Sequence, residues 1–138
     1  MGNVVFSCEI PIEVVPSQSV RHRVIGKFVQ TYQPAKVVQF KKIVRALVEN
    51  QVPAWWKPLE DCALEVSFTY TFPFTKTMIK SKKFPVYKIT KPDVDNCGKA
   101  LQDALTGLLW KDDNIIAVRH SKKIYGGTPS ILIVVEKL

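Results

Sequence analysis

The most constraining feature of the sequence is a helical apolar pattern with a pair of aspartates at each end. Between Asn96 and Leu109, apolar residues recur at intervals of three and four, which predicts an amphipathic helix. Its apolar face consists of Cys97, Ala100, Leu101, Ala104, Leu105 and Leu108. Asp93 and Asp95 precede this helix, and Asp112 and Asp113 follow it. We therefore expect a helix that is buried on one side and has acidic groups at both ends.

The rest of the chain predicts one small α+β domain spanning residues 1–138, with a mixed or antiparallel sheet and two main helices. Strands are expected over residues 4–12, 64–74, 114–125 and 130–138, with a hairpin inside residues 14–32. The hairpin turns at Gly26-Lys27, and the last two strands are expected to pair across the GGTP turn. The first helix starts at Pro34, and Val37, Phe40, Val44 and Leu47 share its apolar face.

The charge distribution indicates a polyanionic partner. The formal net charge is +8, and thirteen of the twenty basic residues fall in two windows without acids, residues 14–48 and 66–92. We expect residues 75–91 to form a mobile basic loop without regular structure. Residues proposed to contact nucleic acid are Arg21, Arg23, Lys80, Lys82, Lys83, Lys88 and Lys91.

Other function classes find little support in the sequence. No apolar run approaches the roughly 18 residues that span a bilayer, so no membrane association is expected. The first residues contain Glu9 and Glu13 and no early lysine or arginine, which favours a cytoplasmic protein over a secreted one. The three cysteines are scattered without a metal-binding spacing, so neither a disulfide framework nor a zinc site is indicated.

The spacing of the aspartates is compatible with two different roles. In an extended stretch, Asp93 and Asp95 point to the same side, whereas at a helix start either one can cap free N–H groups. Asp95, Lys99 and Asp103 recur every four residues and form one polar stripe. That stripe is either part of an active site or contains an ordinary surface ion pair between Lys99 and Asp103.

Clustered aspartates without histidine or thiolate suit a hard cation, Mg²⁺ or Mn²⁺. In a basic protein that binds phosphates, such ions serve nucleases by neutralising the phosphate and activating water. The chemistry alone therefore favours a metal-dependent nuclease. A non-catalytic nucleic-acid-binding protein with a structural ion remains open, as does a metal nuclease for RNA or other branched DNA.

The run KPDVDNCGKALQDALTG, followed by WKDDNII, resembles the RusA-type Holliday junction resolvases. In that family a Lys/Arg-Pro-Asp-x-Asp-Asn stretch leads into a helix that carries a lysine and an Asp-Ala-Leu motif, followed by an Asp-Asp pair and a further lysine. The matching positions are Lys91, Pro92, Asp93, Asp95, Asn96, Lys99, Asp103-Ala104-Leu105, Asp112-Asp113 and Lys123. The catalytic segment is thus expected at residues 91–113.

The resemblance implies a phage- or prophage-derived homodimer of α+β subunits that resolves four-way DNA junctions by paired symmetric nicks in recombination and repair. It implies Mg²⁺ as cofactor, with Mn²⁺ as a substitute, and no small-molecule cofactor. When the family's roles are carried over by position, the metal ligands are Asp93, Asp95 and Asp113, and the catalytic lysine is Lys99. Further candidates are Asp112, Asp103 and Lys123. The sequence departs from the expected pattern in its short link to the Asp-Asp pair and in an early helical glycine, Gly98.

Overall fold

The computed structural model describes residues 3–19 and 21–138. In chain order the elements are β1 Asn3–Ile10, β2 Arg21–Ile25, β3 Phe28–Tyr32, α1 Ala35–Glu49, β4 Leu64–Pro73, α2 Lys76–Ser81, α3 Val94–Leu105, a 3₁₀ helix Asp113–Ile115, β5 Ile116–Gly126 and β6 Ser130–Lys137. None of the helices within these residues has both the length and the apolar content that a membrane crossing requires.

A four-stranded mixed sheet forms the centre of the protein, in the order β1-β6-β4-β5. β4 runs parallel to β5 and antiparallel to β6, which in turn is antiparallel to β1. Alternate residues of β4 are buried because one face of the sheet carries the core. The core also contains the apolar faces of α1 and α3, which pack against each other. This arrangement confirms the predicted α+β fold with two main helices.

The predicted pairing of the last two strands is wrong, because β4 lies between β5 and β6. Thr71 of β4 pairs with Ile124 on one side and with Ser130 on the other. Residues 127–129 therefore cross the end of β4, a span of about 10 Å that three residues can bridge. The chain passes so close that a Cβ on Gly126 would be 2.6 Å from Thr71 Cγ2. Turn residues alone do not distinguish this crossing from a hairpin.

The prediction of an irregular loop over residues 75–91 is also wrong for residues 76–81, which form α2. Thr75 caps α2 by accepting a hydrogen bond from Met78 N at 3.2 Å. Farther along, Lys88 N donates to Lys123 O at 3.1 Å, so this part of the segment lies along the free edge of β5. That edge offers unpaired backbone groups, and it exists only after the sheet has formed.

The helix α3 is shorter at its C-terminal end than the apolar pattern predicts. It ends at Leu105 because Thr106 adopts an extended conformation. The Thr106 hydroxyl donates to Gln102 O at 2.7 Å and accepts from Trp110 Nε1 at 2.9 Å. Trp110 is completely buried, and this anchor turns the chain toward the aspartates that follow.

Candidate active site

The N-terminal end of α3 carries two exposed carboxylates. Asp93 occupies the N-cap position with an extended backbone, but its side chain makes no capping hydrogen bond. Asp95 lies in the first turn of the same helix. The free N–H groups of a helix N-terminus interact favourably with nearby negative charge, so acidic side chains suit this position. The capping explanation of Asp93 is therefore not what the structure shows, and its oxygens are available to a ligand.

Arg119 of β5 is a site residue that the sequence did not reveal. Its Nη2 donates to Asp95 Oδ1 at 2.8 Å, and its Nη1 donates to Gln102 Oε1 at 2.5 Å. The Arg119 side chain is 25% exposed and that of Asp95 is 87% exposed. The half-buried guanidinium thus holds a carboxylate that otherwise faces solvent.

The same arginine explains why a glycine stands at position 98 within the helix. A Cβ on Gly98 would lie 2.8 Å from Arg119 Cζ, closer than non-bonded carbon atoms approach each other. The absence of a side chain lets the guanidinium lie across α3 between Asp95 and Gln102. Glycine in a helix interior is unfavourable by roughly 0.5–1 kcal/mol relative to alanine. That local cost was the one sequence signal that pointed to a close approach here.

Lys123 holds the segment that leads into Asp93. Its Nζ donates to Thr90 O at 2.6 Å and to Pro92 O at 2.7 Å. The neighbouring Lys122 on β5 is exposed. Burial raises the pKa of the Cys97 thiol to about 11, while the charge of Lys123 lowers that pKa and the charge of Asp93 raises it. Lys123 on β5 and Asp93 at the start of α3 therefore have opposite effects on the pKa of this buried thiol.

The structure does not pair Lys99 with Asp103, as the surface-pair explanation proposed. Asp103 Oδ2 is instead 3.3 Å from Lys41 Nζ, so it links α3 to α1. Lys99 is exposed and makes no ion pair with any residue that the structure describes. Its charge is free to meet a ligand beside Asp95.

Asp112 and Asp113 lie beyond the C-terminal end of α3, whereas Asp93 and Asp95 lie at its N-terminal end. Asp112 caps the 3₁₀ helix, because its Oδ1 accepts from Asn114 N at 3.1 Å. Asp113 is the first residue of that helix and is half-buried. The two aspartates therefore differ, with Asp112 engaged in local structure.

The carboxylates at the start of α3 suit a magnesium ion by their chemistry. Mg²⁺ is held by oxygen ligands, commonly one or two protein carboxylates with several waters, and Asp93 and Asp95 supply such oxygens. Within residues 3–19 and 21–138, the side chains of histidine, cysteine, aspartate and glutamate form no group of three that could hold a metal. A role for Asp113 as a third ligand of the metal ion therefore stays a prediction.

A cleft lies next to this acidic end. It has a volume of about 410 Å³ and is lined by Pro16, Ser17, Gln18, Ser19, Lys91, Pro92, Asp93 and Asn96. The two walls are joined by a backbone hydrogen bond from Ser17 N to Asn96 O at 3.0 Å. Ser17 is only 6% exposed, and its Oγ has no hydrogen-bond partner among the described residues. The cleft thus adds an unsatisfied hydroxyl and a lysine to the acidic end of α3.

The basic residues proposed to contact nucleic acid occupy several surfaces. Arg21 and Arg23 lie on the exposed β2–β3 hairpin, Lys91 lines the cleft, and Lys80, Lys82 and Lys83 are exposed at the end of α2.

Lys88 differs from the other candidate lysines, Lys80, Lys82, Lys83 and Lys91, because its amino group contacts other side chains of the described chain. Its Nζ donates to Thr90 Oγ1 at 2.8 Å and lies 5.1 Å from the ring centroid of Phe72 and 5.3 Å from that of Tyr125. Cation–π contacts of this kind hold an ammonium group against the protein. A contact between Lys88 and DNA would have to compete with these interactions.

Two comparisons with known proteins place the site in context. Residues 11–136 match the family described as endodeoxyribonuclease RusA, and this range includes every site residue described above. The chain is also 31% identical over 128 residues to the uncharacterized protein YqaN of Bacillus subtilis (strain 168), a match that covers 89% of this chain and 87% of that protein.

Proposed function

Because the chain belongs to the RusA endodeoxyribonuclease family, we propose that it resolves Holliday junctions by paired symmetric nicks that require Mg²⁺. The family match confirms the resemblance inferred from the sequence. The observation that carries the proposal is the acidic end of α3, where Asp93 and Asp95 are accompanied by Arg119, Lys123 and the free Lys99.

In the proposed mechanism, Asp93 and Asp95 hold the cation, and Asp113 is proposed as a further ligand. The bound ion supplies Lewis acidity and an activated water for attack on phosphorus. Lys99 lies one helical turn after Asp95 on the same face and places positive charge toward the phosphate. Arg119 acts as a positioning residue, because it holds the Asp95 carboxylate by a hydrogen bond. Lys123 supports the segment before Asp93 in the same way.

We further propose that two copies of the chain act together. A single active site cuts one strand, whereas symmetric resolution needs two sites related by a two-fold axis. The basic surfaces would grip the junction arms through phosphates, which supplies affinity without sequence preference. The proposal also includes Mn²⁺ as a substitute for Mg²⁺, a cytoplasmic location, a phage or prophage origin and a role in DNA recombination and repair.

The proposal is tested by incubating the purified protein with a synthetic four-way junction, with Mg²⁺ or with a chelator. Asp95→Asn keeps the side-chain shape but removes a ligand's charge. Asp61→Asn is the matched control, because Asp61 is exposed, lies in a connecting loop and has a positive φ that asparagine tolerates.

We expect paired nicks from the natural chain and from Asp61→Asn in Mg²⁺, and none from Asp95→Asn or with the chelator. Cleavage by Asp95→Asn at the natural rate would contradict the mechanism. Tight junction binding without nicks in either metal would indicate a non-catalytic DNA-binding protein. Faster cleavage of RNA or of plain duplex at equal salt would assign a different nuclease substrate.

A further inference from the structure

The β2–β3 hairpin, residues 21–32, stands apart from the rest of the fold and is called the arm below. Within the described parts of the chain, its two strands pair with each other alone and form a separate two-stranded sheet. All ten strand residues are exposed, among them Phe28 at 78%. Five residues per strand give the arm a length of about 16 Å. The apolar side chains of the arm are therefore exposed and do not belong to the core of the described residues.

The cross-strand register separates the arm into two different faces. Directly opposite residues share a face, so one face carries the pairs Arg21–Tyr32, Arg23–Gln30 and Ile25–Phe28. The other face carries His22–Thr31 and Val24–Val29.

On the first of these faces, side chains from the two strands contact each other. Arg23 Nε donates to Gln30 Oε1 at 2.7 Å, and the Arg23 guanidinium lies 5.4 Å from the ring centroid of Tyr32. This face therefore has cations at its base and an apolar pair, Ile25 and Phe28, next to the turn. The turn itself adds a further cation, Lys27.

The charge of the arm selects the class of partner. Arg21, Arg23 and Lys27 lie in a stretch, residues 14–48, that has no acidic residue. Two arms from two copies of the chain would bring these like charges together without a counter-charge. A polyanion is complementary to the same surface, and base-paired nucleic acid also offers apolar faces to the tip.

The arm starts beside the candidate active site. Gln18 and Ser19 line the cleft that also contains Asp93 and Asn96, and Arg21 is the first residue of β2 two positions later. DNA whose phosphate lies at the acidic end of α3 would therefore pass the base of the arm. An arm about 16 Å long is long enough to reach base pairs next to the cleaved strand.

From these observations we propose that the arm is a wedge, in which Ile25 and Phe28 enter the branch point of a DNA junction and unstack its bases while Arg21 and Arg23 contact phosphates. The inference rests on the proposed function, because it assumes branched DNA as the substrate. An apolar wedge is a known physical means of opening a base step. Stacking of a base on an aromatic ring then compensates for the lost base–base contact.

The experiment uses a four-way junction with 2-aminopurine at the branch point, whose fluorescence rises when the base unstacks. A chelator is present, so binding is measured without cleavage. The tip variant is Ile25→Ala with Phe28→Ala, and Phe28→Leu keeps an apolar tip without the ring. Val24→Ala with Val29→Ala is the control, because this pair is exposed on the opposite face of the arm.

We expect the fluorescence to rise with the natural chain and with the control, and to stay flat with the tip variant. The tip variant should bind the junction about tenfold more weakly and plain duplex equally well. A rise with the tip variant equal to that of the natural chain overturns the wedge. A change from dimer to monomer when the tip variant replaces the natural chain in sedimentation also overturns the wedge. That result would make the tip an interface between copies of the chain.

This experiment tests the wedge and the proposed nuclease activity independently of each other. Asp95→Asn leaves the arm intact, and its fluorescence rise should equal that of the natural chain even where no strand is cut. Absence of nicks in Mg²⁺ together with a normal rise would contradict the nuclease activity alone. Normal nicking together with a flat signal for the natural chain would contradict the wedge alone.

Discussion

The guanidinium of Arg119 occupies the space that a side chain at residue 98 would need, since a Cβ on Gly98 would lie 2.8 Å from Arg119 Cζ. One helical residue without a side chain thereby lets a strand residue reach Asp95 across α3. The pair connects the sheet to the carboxylates at the helix start. It also makes the two positions energetically dependent on each other.

The first prediction is non-additivity between these positions. In the natural chain, Gly98→Ala gains helix propensity but displaces Arg119 from its bonds with Asp95 and Gln102, so we expect a net loss of stability of about 1 kcal/mol. In an Arg119→Ala background, the same change should stabilise by about 0.5–1 kcal/mol. Urea unfolding of the four proteins measures the coupling. Equal effects of Gly98→Ala in both backgrounds would rule out the steric relationship.

The second prediction concerns Lys123, whose amino group donates to Thr90 O and Pro92 O. Lys123→Gln should lower the free energy of unfolding by about 1.5–3 kcal/mol, because hydrogen bonds from a charged group are lost. Junction nicking should fall as well, since Asp93 directly follows this segment. Lys122→Gln, at the exposed neighbouring position, should change stability by less than about 0.5 kcal/mol. Indistinguishable unfolding curves for the two variants would refute the supporting role.

The third prediction uses the unsatisfied hydroxyl of Ser17. Burying a hydroxyl without a partner is unfavourable by about 1–3 kcal/mol, so Ser17→Ala should leave stability unchanged or raise it by about 1 kcal/mol. Ser19→Ala, at an exposed position of the same segment, should have no effect. Thermal unfolding of the DNA-free protein compares them. A clear loss of stability in Ser17→Ala would mean that the hydroxyl has a partner in solution.

The fourth prediction is a change in the salt dependence of DNA binding. If Arg21 and Arg23 each contact a phosphate, neutralising both to glutamine should reduce the slope of log K against log salt by about 1.8 per bound copy of the chain, or about 0.9 per contact. Lys57→Gln, an exposed change outside the two windows that lack acids, should leave the slope unaltered. Titrations of labelled junction at several salt concentrations give the slopes. An unchanged slope for the arginine variant would place the arm away from the phosphates.

The fifth prediction is a loss of stability in alkaline solution due to Cys8. Burial raises the pKa of this thiol from 9.0 to about 11, so the unfolded chain releases the proton at lower pH than the folded chain. Between these two values the unfolded state binds fewer protons, and stability falls as pH rises, by at most about 1.4 kcal/mol per pH unit. Below pH 9 this contribution is constant. In urea unfolding, the free energy of unfolding of Cys8→Ala should fall less steeply with pH than that of the natural chain. Equal slopes for the two proteins would contradict this role of Cys8.

Local sequence patterns were sufficient for the elements whose determinants lie within one segment. The apolar spacing of α1 and α3 predicted the buried faces, and Gly26-Lys27 predicted the turn of the arm, where Gly26 has a φ of 61°. The acidic start of α3 and the family resemblance also followed from one continuous run. In each case the relevant residues are neighbours along a helix or a turn, so their spacing determines their geometry.

Only the tertiary structure decided which distant residues meet. The sequence alone could not place β4 between β5 and β6, direct Asp103 toward Lys41 instead of Lys99, or bring Arg119 across Gly98. These contacts join residues from separate segments, and their energies depend on how whole elements pack. The sequence by itself determined the residue types at the acidic end of α3. The packing of β5 against that helix decided that Arg119 holds the Asp95 carboxylate, because a side chain's partner is set by position in space.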